Sequence, residues 1–131
     1  MEIAVDASVL IAVIADEAEK AALIEKTRDA DLIAPASIHW EIGNAFSAMF
    51  KRKRVTVKQA LQAIEIYQQI PLRFVDVGLP EALEVAAELN IYAYDAYVLC
   101  CASKYHASLL TLDTQLVKLA KQKGISVLEF I

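Results

Sequence analysis

Short, almost wholly apolar runs alternate along this chain with longer segments whose apolar positions recur at helical spacing. Glu2–Val5, Leu32–Ala34, Leu72–Val77, Ser108–Leu112 and Ser126–Leu128 read as strands. Between them, Ser8 is placed to cap a brief helix through Ile14, and Asp16 opens a second, with Glu19 three residues on as its capping-box partner. Pro35 stops the second strand, and Ser37 caps a long helix ending near Lys51-Arg52-Lys53-Arg54. Thr56 with Gln59 forms another capping box, for a helix reaching about Gln69. Pro80 sits in the first turn of the helix after the third strand. Asp95 opens a helix to Tyr105, and Asp113 opens one that Gly124 terminates.

Strands alternating with helices predict right-handed crossovers and a largely parallel sheet covered on both faces, an α/β class. The strands are apolar on both sides, as such a sheet requires. The helix Thr56–Gln69 carries two apolar stripes, Val57, Ala60, Leu61, Ile64 and Tyr67 against Ala63, Ile66 and Ile70. Core packing accounts for the first; the second is either a wider core face or a contact with another chain.

With 131 residues and no internal repeat or linker, residues 1–131 are expected to be one domain. Hydrophobic residues make up 57% and charged residues 23%, which excludes intrinsic disorder. The net charge of −4 provides no global basic field, so nucleic acid must be held locally or through metal ions. Three glycines cannot furnish a dinucleotide-binding or phosphate-binding glycine loop. The start Met1-Glu2-Ile3-Ala4-Val5-Asp6 lacks a basic leader, and the apolar run Val9–Ala15 falls far short of the ~20 residues that span a bilayer. A cytoplasmic protein without a membrane segment is therefore expected. Adjacent Cys100 and Cys101 in an apolar helical pattern read as buried free thiols, and the chain lacks a zinc-binding set at usable spacing.

Seventeen residues are acidic, and four of them stand in apolar settings. Asp6 follows Ile3-Ala4-Val5 and Asp113 follows Leu109-Leu110-Thr111-Leu112, each at the carboxyl end of a strand. Glu41 lies on the helix face of Ile38, Ala45 and Ala48, and Asp95 begins the stripe Val98, Leu99, Ala102. Singly, Asp6, Asp95 and Asp113 are also explained as helix caps; Glu41 is not, because a carboxylate on a core-facing stripe is costly. Asp76 also follows a strand, but the Gly78-Leu79-Pro80 turn accounts for it. Jointly, a doubly wound sheet places its ligand site beyond the carboxyl ends of the strands, where these four acids can converge. Four carboxylates together must partly protonate or hold a divalent cation, and oxygen-only ligands favour Mg²⁺ or Mn²⁺. Such a centre suits phosphodiester hydrolysis.

The segments Val5-Asp6-Ala7-Ser8, His39-Trp40-Glu41-Ile42-Gly43-Asn44-Ala45, Ala93-Tyr94-Asp95-Ala96 and Leu110-Thr111-Leu112-Asp113 resemble the four acidic motifs of PIN-domain nucleases, above all VapC-type toxins of toxin–antitoxin pairs. The resemblance runs from Met1 to the final strand, with matching length and motif order. It implies a three-layer sandwich around a five-stranded, mostly parallel sheet of order 3-2-1-4-5. It implies Mg²⁺- or Mn²⁺-dependent endoribonuclease activity, an RNA substrate, a cognate antitoxin and a homodimer. Carried over, Asp6, Glu41, Asp95 and Asp113 are the catalytic and metal-binding carboxylates, with Asp6 and Asp95 the principal ligands. Ser8 and Thr111 match small hydroxyl positions that orient acids or water; Asn44 either does the same or makes a buried polar contact. Where some members carry a further acid, Gln115 and Lys118 stand here, which implies a weaker second metal site.

Lys51, Arg52, Lys53 and Arg54 either complement a helix C-terminus or contact RNA or an acidic antitoxin. His39 and His106 lack ligand spacing and read as structural or solvent-facing. Trp40 and the five tyrosines are expected mainly in the core or an interface, with base stacking an alternative for Tyr92 and Tyr94 near Asp95. Two other functions remain open: an RNA-processing PIN nuclease outside a toxin–antitoxin pair, and a haloacid-dehalogenase-like phosphotransferase using Asp6. The latter lacks the usual second acid, replaced here by Ser8, and a well-placed lysine.

Overall fold

In the computed structural model, which describes residues 1–129, the apolar runs pair in parallel as β1 (Glu2–Val5), β2 (Asp31–Pro35), β3 (Leu72–Val75) and β4 (Ser108–Leu110). The sheet order is β3-β2-β1-β4, with Val5 opposite Leu110 and Ala4 opposite Ile33. Seven helices connect and cover it: α1 (Ala7–Ile14), α2 (Lys20–Lys26), α3 (Ile38–Lys51), α4 (Val57–Gln69), α5 (Leu79–Leu89), α6 (Ala93–Lys104) and α7 (Thr114–Gln122).

The period-two alternation of the strands divides the core in two. Ile3, Val5, Ala34 and Leu110 face one side, against Leu10, Leu23, Ile42, Phe46 and Tyr67 from α1 to α4. Ala4, Ile33, Val75 and Leu109 face the other, against Leu99 and Ala102 of α6 and Leu116 and Leu119 of α7. These are the three layers expected from the sequence. The two apolar faces together supply the main stabilisation, at about 1.5–3 kcal/mol per large side chain fully buried.

The sheet has four full strands among the described residues, not five. Residues 126–128 meet β4 through a single parallel bridge, Leu109 with Val127, supported by Leu109 N donating to Ser126 O and Leu128 N donating to Leu109 O, both at 2.8 Å. The edge is in the expected place, beside β4, but β4 itself stops at Leu110. Beyond it, the amides of Leu112 and Asp113 donate to the Ser8 and Thr111 hydroxyls instead of a neighbouring strand, so little of β4 remains for a fifth strand to pair with.

Several helix starts shift for identifiable reasons. Asp6, not Ser8, caps α1, accepting from Val9 N at 3.3 Å. The second helix begins at Lys20 rather than Asp16, because Asp16 adopts φ 56° and pairs with Lys20 across the turn. Ser37 occupies the N-cap position of α3 without a capping bond; its hydroxyl goes to Glu41. Tyr92 caps α6, leaving Asp95 inside its first turn. The capping box of α4 forms as predicted, Gln59 N to Thr56 Oγ1 at 3.1 Å and Thr56 N to Gln59 Oε1 at 2.9 Å. Thr56→Ala is therefore expected to cost about 1 kcal/mol, read as a lower urea midpoint at unchanged slope.

The apolar stripes of α4 divide differently from expectation. Ala60, Ala63 and Tyr67 are buried together, while Val57 and Leu61 of the first stripe are 61% and 60% exposed. Small alanines let α4 sit close to α1, and the larger residues flank the contact in solvent. Cys100 and Cys101 are free thiols, Cys101 fully buried, and burial pushes the Cys101 thiol up to about 12. Among the described residues no helix is long and apolar enough to cross a membrane.

Candidate active site

Neighbouring β1 and β4 end side by side, and their carboxyl ends carry the most constrained polar cluster of the molecule. Asp6 is only 8% exposed. Its Oδ1 accepts from Ser8 Oγ at 2.6 Å and from Val9 N, and its Oδ2 accepts from Thr111 Oγ1. Each hydroxyl is itself held from β4's far end: Leu112 N donates to Ser8 Oγ and Asp113 N donates to Thr111 Oγ1, both at 3.0 Å. A hydroxyl has one proton to give and lone pairs to receive, so each amide fixes the direction in which its hydroxyl points. Two relays thus run from the loop after β4 to the two oxygens of Asp6. Among the described residues Oδ2 accepts this one hydrogen bond from Thr111, which leaves it a lone pair for a ligand.

Asp113 is exposed and caps α7, Oδ1 accepting from Gln115 N at 2.9 Å and Leu116 N at 3.3 Å. Glu41 sits half-buried in the first turn of α3, accepting from Ser37 Oγ at 3.3 Å. Asp95 sits half-buried in the first turn of α6.

Asp6, Glu41 and Asp95 each feel neighbouring carboxyls. Burial pushes Asp6 up, and Asp113 adds to the rise against the opposing hydrogen bonds of Ser8, Thr111 and Val9. Burial pushes Glu41 up to about 7, with Asp6 and Asp95 adding and the Ser37 hydrogen bond opposing. Burial likewise raises Asp95, with Asp113 and Asp6 adding. Charges that perturb one another this way share one region of low dielectric. Asp6, Glu41 and Asp95 thus each feel the negative charge of at least one other acid of the set.

No lysine or arginine offsets the cluster: none acts on Asp6, Glu41 or Asp95, and among the described residues none pairs with any of the four acids. An all-oxygen, anionic donor set without a protein cation fits a hard divalent ion such as Mg²⁺ or Mn²⁺. Among the described residues, no three acidic, histidine or cysteine side chains yet stand in a grouping that would hold an ion between them.

Other predicted site residues fall outside this cluster. Asn44 is exposed, and among the described residues its side chain bonds to none of the acids; its carbonyl accepts from Ser47 Oγ. Lys51–Arg54 is exposed at the opposite end of α3 from Glu41, about 15 Å along the helix axis. Gln115 and Lys118 are exposed on α7. His39 is structural, its Nδ1 2.8 Å from Tyr67 OH and its ring 4.3 Å from that of Phe74. Sequence reading missed Ser37 as a partner of Glu41, although the i, i+4 spacing was available to show it. Of the two places expected for Trp40, a core or an interface, its 72% exposure excludes the core.

The chain belongs to the PIN-domain family, whose model matches residues 3–122. Its fold is similar to the crystal structure of PAE2754 from Pyrobaculum aerophilum, with TM-score 0.71 and 24% identity over 91% of this chain and 79% of that one. It is similar also to VapBC2 from Rickettsia felis bound to a DNA fragment from their promoter (TM-score 0.69, 15% identity, 98% of both chains). Mycobacterium tuberculosis VapC20, a sarcin-ricin loop cleaving toxin, aligns with TM-score 0.64 and 14% identity over 97% of this chain and 98% of that one. No curated protein matches the sequence significantly.

Proposed function

We propose that this protein is a Mg²⁺- or Mn²⁺-dependent endoribonuclease, the cytoplasmic toxin of a VapBC-type toxin–antitoxin pair. The observation that carries the reading is the buried Asp6 at the end of β1, both its oxygens held by hydroxyl relays that run from beyond β4, with Asp113 adding to the rise of its pKa. Membership of the PIN family and likeness of fold to VapC proteins, one of them described as cleaving the sarcin-ricin loop, support it.

Asp6, Glu41, Asp95 and Asp113 would hold the ion, which when bound polarises the phosphoryl oxygen and acidifies a water. Asp6 is the fixed member: its burial and two hydroxyl contacts leave it a single orientation. Glu41, with Oε2 engaged by Ser37, would take the proton of the attacking water at Oε1. Asp113 is rigid through its capping bonds, and Asp95 is carried by the rigid first turn of α6. Ser8 and Thr111 orient Asp6 and do not touch substrate in this scheme.

Exposed Val57 and Leu61 on α4 are consistent with an antitoxin or a second copy of the chain, and Lys51–Arg54 is available for RNA or an acidic partner away from the centre. Phosphotransfer through Asp6 has less support, because no lysine acts on that carboxyl. Incubation with RNA and Mg²⁺ or Mn²⁺, against an EDTA control, tests the nuclease. Growth arrest on expression, relieved by the product of a neighbouring gene, separates a toxin from an RNA-processing enzyme.

Glu41 also predicts a pH dependence of stability. Its folded pKa of about 7 lies above the ordinary 4.5, so the folded protein binds this proton more tightly than the unfolded chain. The stability it contributes is complete below the ordinary value and lost as pH rises through about 7. Glu41→Gln lacks that loss. In EDTA, its melting temperature relative to wild type is expected to climb between about pH 5 and about pH 8. A pH-independent difference would contradict the assigned shift.

A further inference from the structure

A groove of ≈ 360 Å³ opens on the carboxyl edge of the same sheet, at the ends of β2 and β3. Ser37, Trp40, Val75, Asp76, Leu79 and Tyr97 are among its walls. Parallel strands lie about 5 Å apart, and β2 adjoins β1, so the groove begins one strand away from Asp6. Ser37 connects it to the candidate site, since Ser37 lines the groove and donates to Glu41 at 3.3 Å.

The chemistry of the walls selects an occupant. Trp40 presents a largely exposed indole, and Tyr97 a second aromatic ring, against an aliphatic floor. The one charged residue in the lining is Asp76, so a phosphate group is repelled. Among the described residues the Asp76 carboxylate makes no hydrogen bond; it is the backbone carbonyl that accepts from Lys104 Nζ and Tyr105 OH, each at 3.2 Å. A groove with two aromatic side chains, aliphatic neighbours and one unengaged carboxylate matches a planar ring carrying N–H donors on its edge.

We propose that this groove binds a nucleobase of single-stranded RNA next to the scissile phosphate, the base stacking on Trp40 and Tyr97 and donating an edge N–H to Asp76. The inference rests on the ribonuclease reading and adds to it how the substrate strand is held. Stacking gives affinity for any base, and Asp76 favours bases with an amino donor at the edge. Trp40 contacts substrate away from the reacting atoms, so its loss acts on binding more than on the chemical step.

Trp40 is the only tryptophan of the chain, so intrinsic fluorescence reports this groove alone. Asp6→Asn protein with Mg²⁺ is titrated with a short single-stranded oligoribonucleotide and with an abasic oligomer of equal length, binding being followed separately by anisotropy of a labelled strand. Saturable quenching by the base-containing strand and none by the abasic strand is expected. In the wild-type background, Trp40→Ala is expected to raise KM roughly tenfold to a hundredfold with little change in kcat, and Trp40→Phe to restore most of it. An oligomer that binds by anisotropy without quenching Trp40 overturns the proposal. So does an unchanged KM in Trp40→Ala, or an emission shift that follows protein concentration without RNA, which would place a second copy on the groove. If wild type cleaves RNA while these tests fail, only the base site is lost; if it cleaves no RNA with Mg²⁺ or Mn²⁺, the ribonuclease reading falls first.

Discussion

Asp6→Asn lowers RNA cleavage by roughly 10²–10⁴-fold while the protein stays folded and its melting temperature in EDTA holds or rises. The two parts of this expected result have one cause. Asp6 is buried, and burial raises its pKa, so the ionised carboxylate is held in place at a cost in folding energy. Asparagine keeps the shape and an acceptor for one hydroxyl relay, and its amide can donate to a lone pair of the other hydroxyl. What it removes is the charge. A loss of activity with a loss of folding would instead make Asp6 a structural residue; cleavage and melting are therefore measured on the same preparation. Retention of cleavage within a few fold of wild type sinks the catalytic assignment.

Leu110→Ala is expected to cost about 2–5 kcal/mol, enough to unfold a marginal domain. Leu110 is fully buried, pairs in register with Val5 and packs into the cluster formed with α1, α3 and α4. It also immediately precedes Thr111. The cavity left by truncation therefore lies beneath the strand end that aims a hydroxyl at Asp6. A urea titration gives the stability change, and the residual activity of the folded fraction reports how far the relay depends on the strand. A change below about 1 kcal/mol would mean that the neighbouring side chains collapse into the gap.

Much of this architecture was legible in the sequence because it depends on local signals. The apolar alternation of Ile3, Ala4 and Val5 fixed a doubly covered strand, and Thr56 with Gln59 fixed the start of α4. The four acids stood out in the sequence because each interrupts an apolar context; the structure buries Asp6, half-buries Glu41 and Asp95, and leaves Asp113 exposed as the cap of α7. Their roles in catalysis and metal binding rest on chemistry and on the resemblance, as does the assignment of RNA.

The misjudged positions share a physical reason: a polar side chain had a choice of partners separated in sequence. Ser37 read as a cap, yet its hydroxyl serves Glu41; Ser8 gives up the cap of α1 to Asp6, while its hydroxyl bonds that acid as the resemblance implied. The amides of Leu112 and Asp113 read as strand donors, yet they turn to Ser8 and Thr111, which shortens β4 and reduces the fifth strand to a bridge. Trp40 read as a core or interface residue, and only the arrangement of α3 against the ends of β2 and β3 shows that it is exposed and lines a groove. The Val57 and Leu61 flank of α4 had the same ambiguity, since periodicity finds an apolar stripe without saying how far the core reaches across it.

Crystals of the protein soaked in MnCl₂ and recorded at the manganese edge give the most direct measurement. Anomalous density between the carboxylates, with oxygens of Asp6 and at least one of Glu41, Asp95 and Asp113 roughly 2.0–2.3 Å from the ion, is the predicted result. An empty cluster at manganese concentrations that support cleavage, or density only at other surface acids, would contradict it.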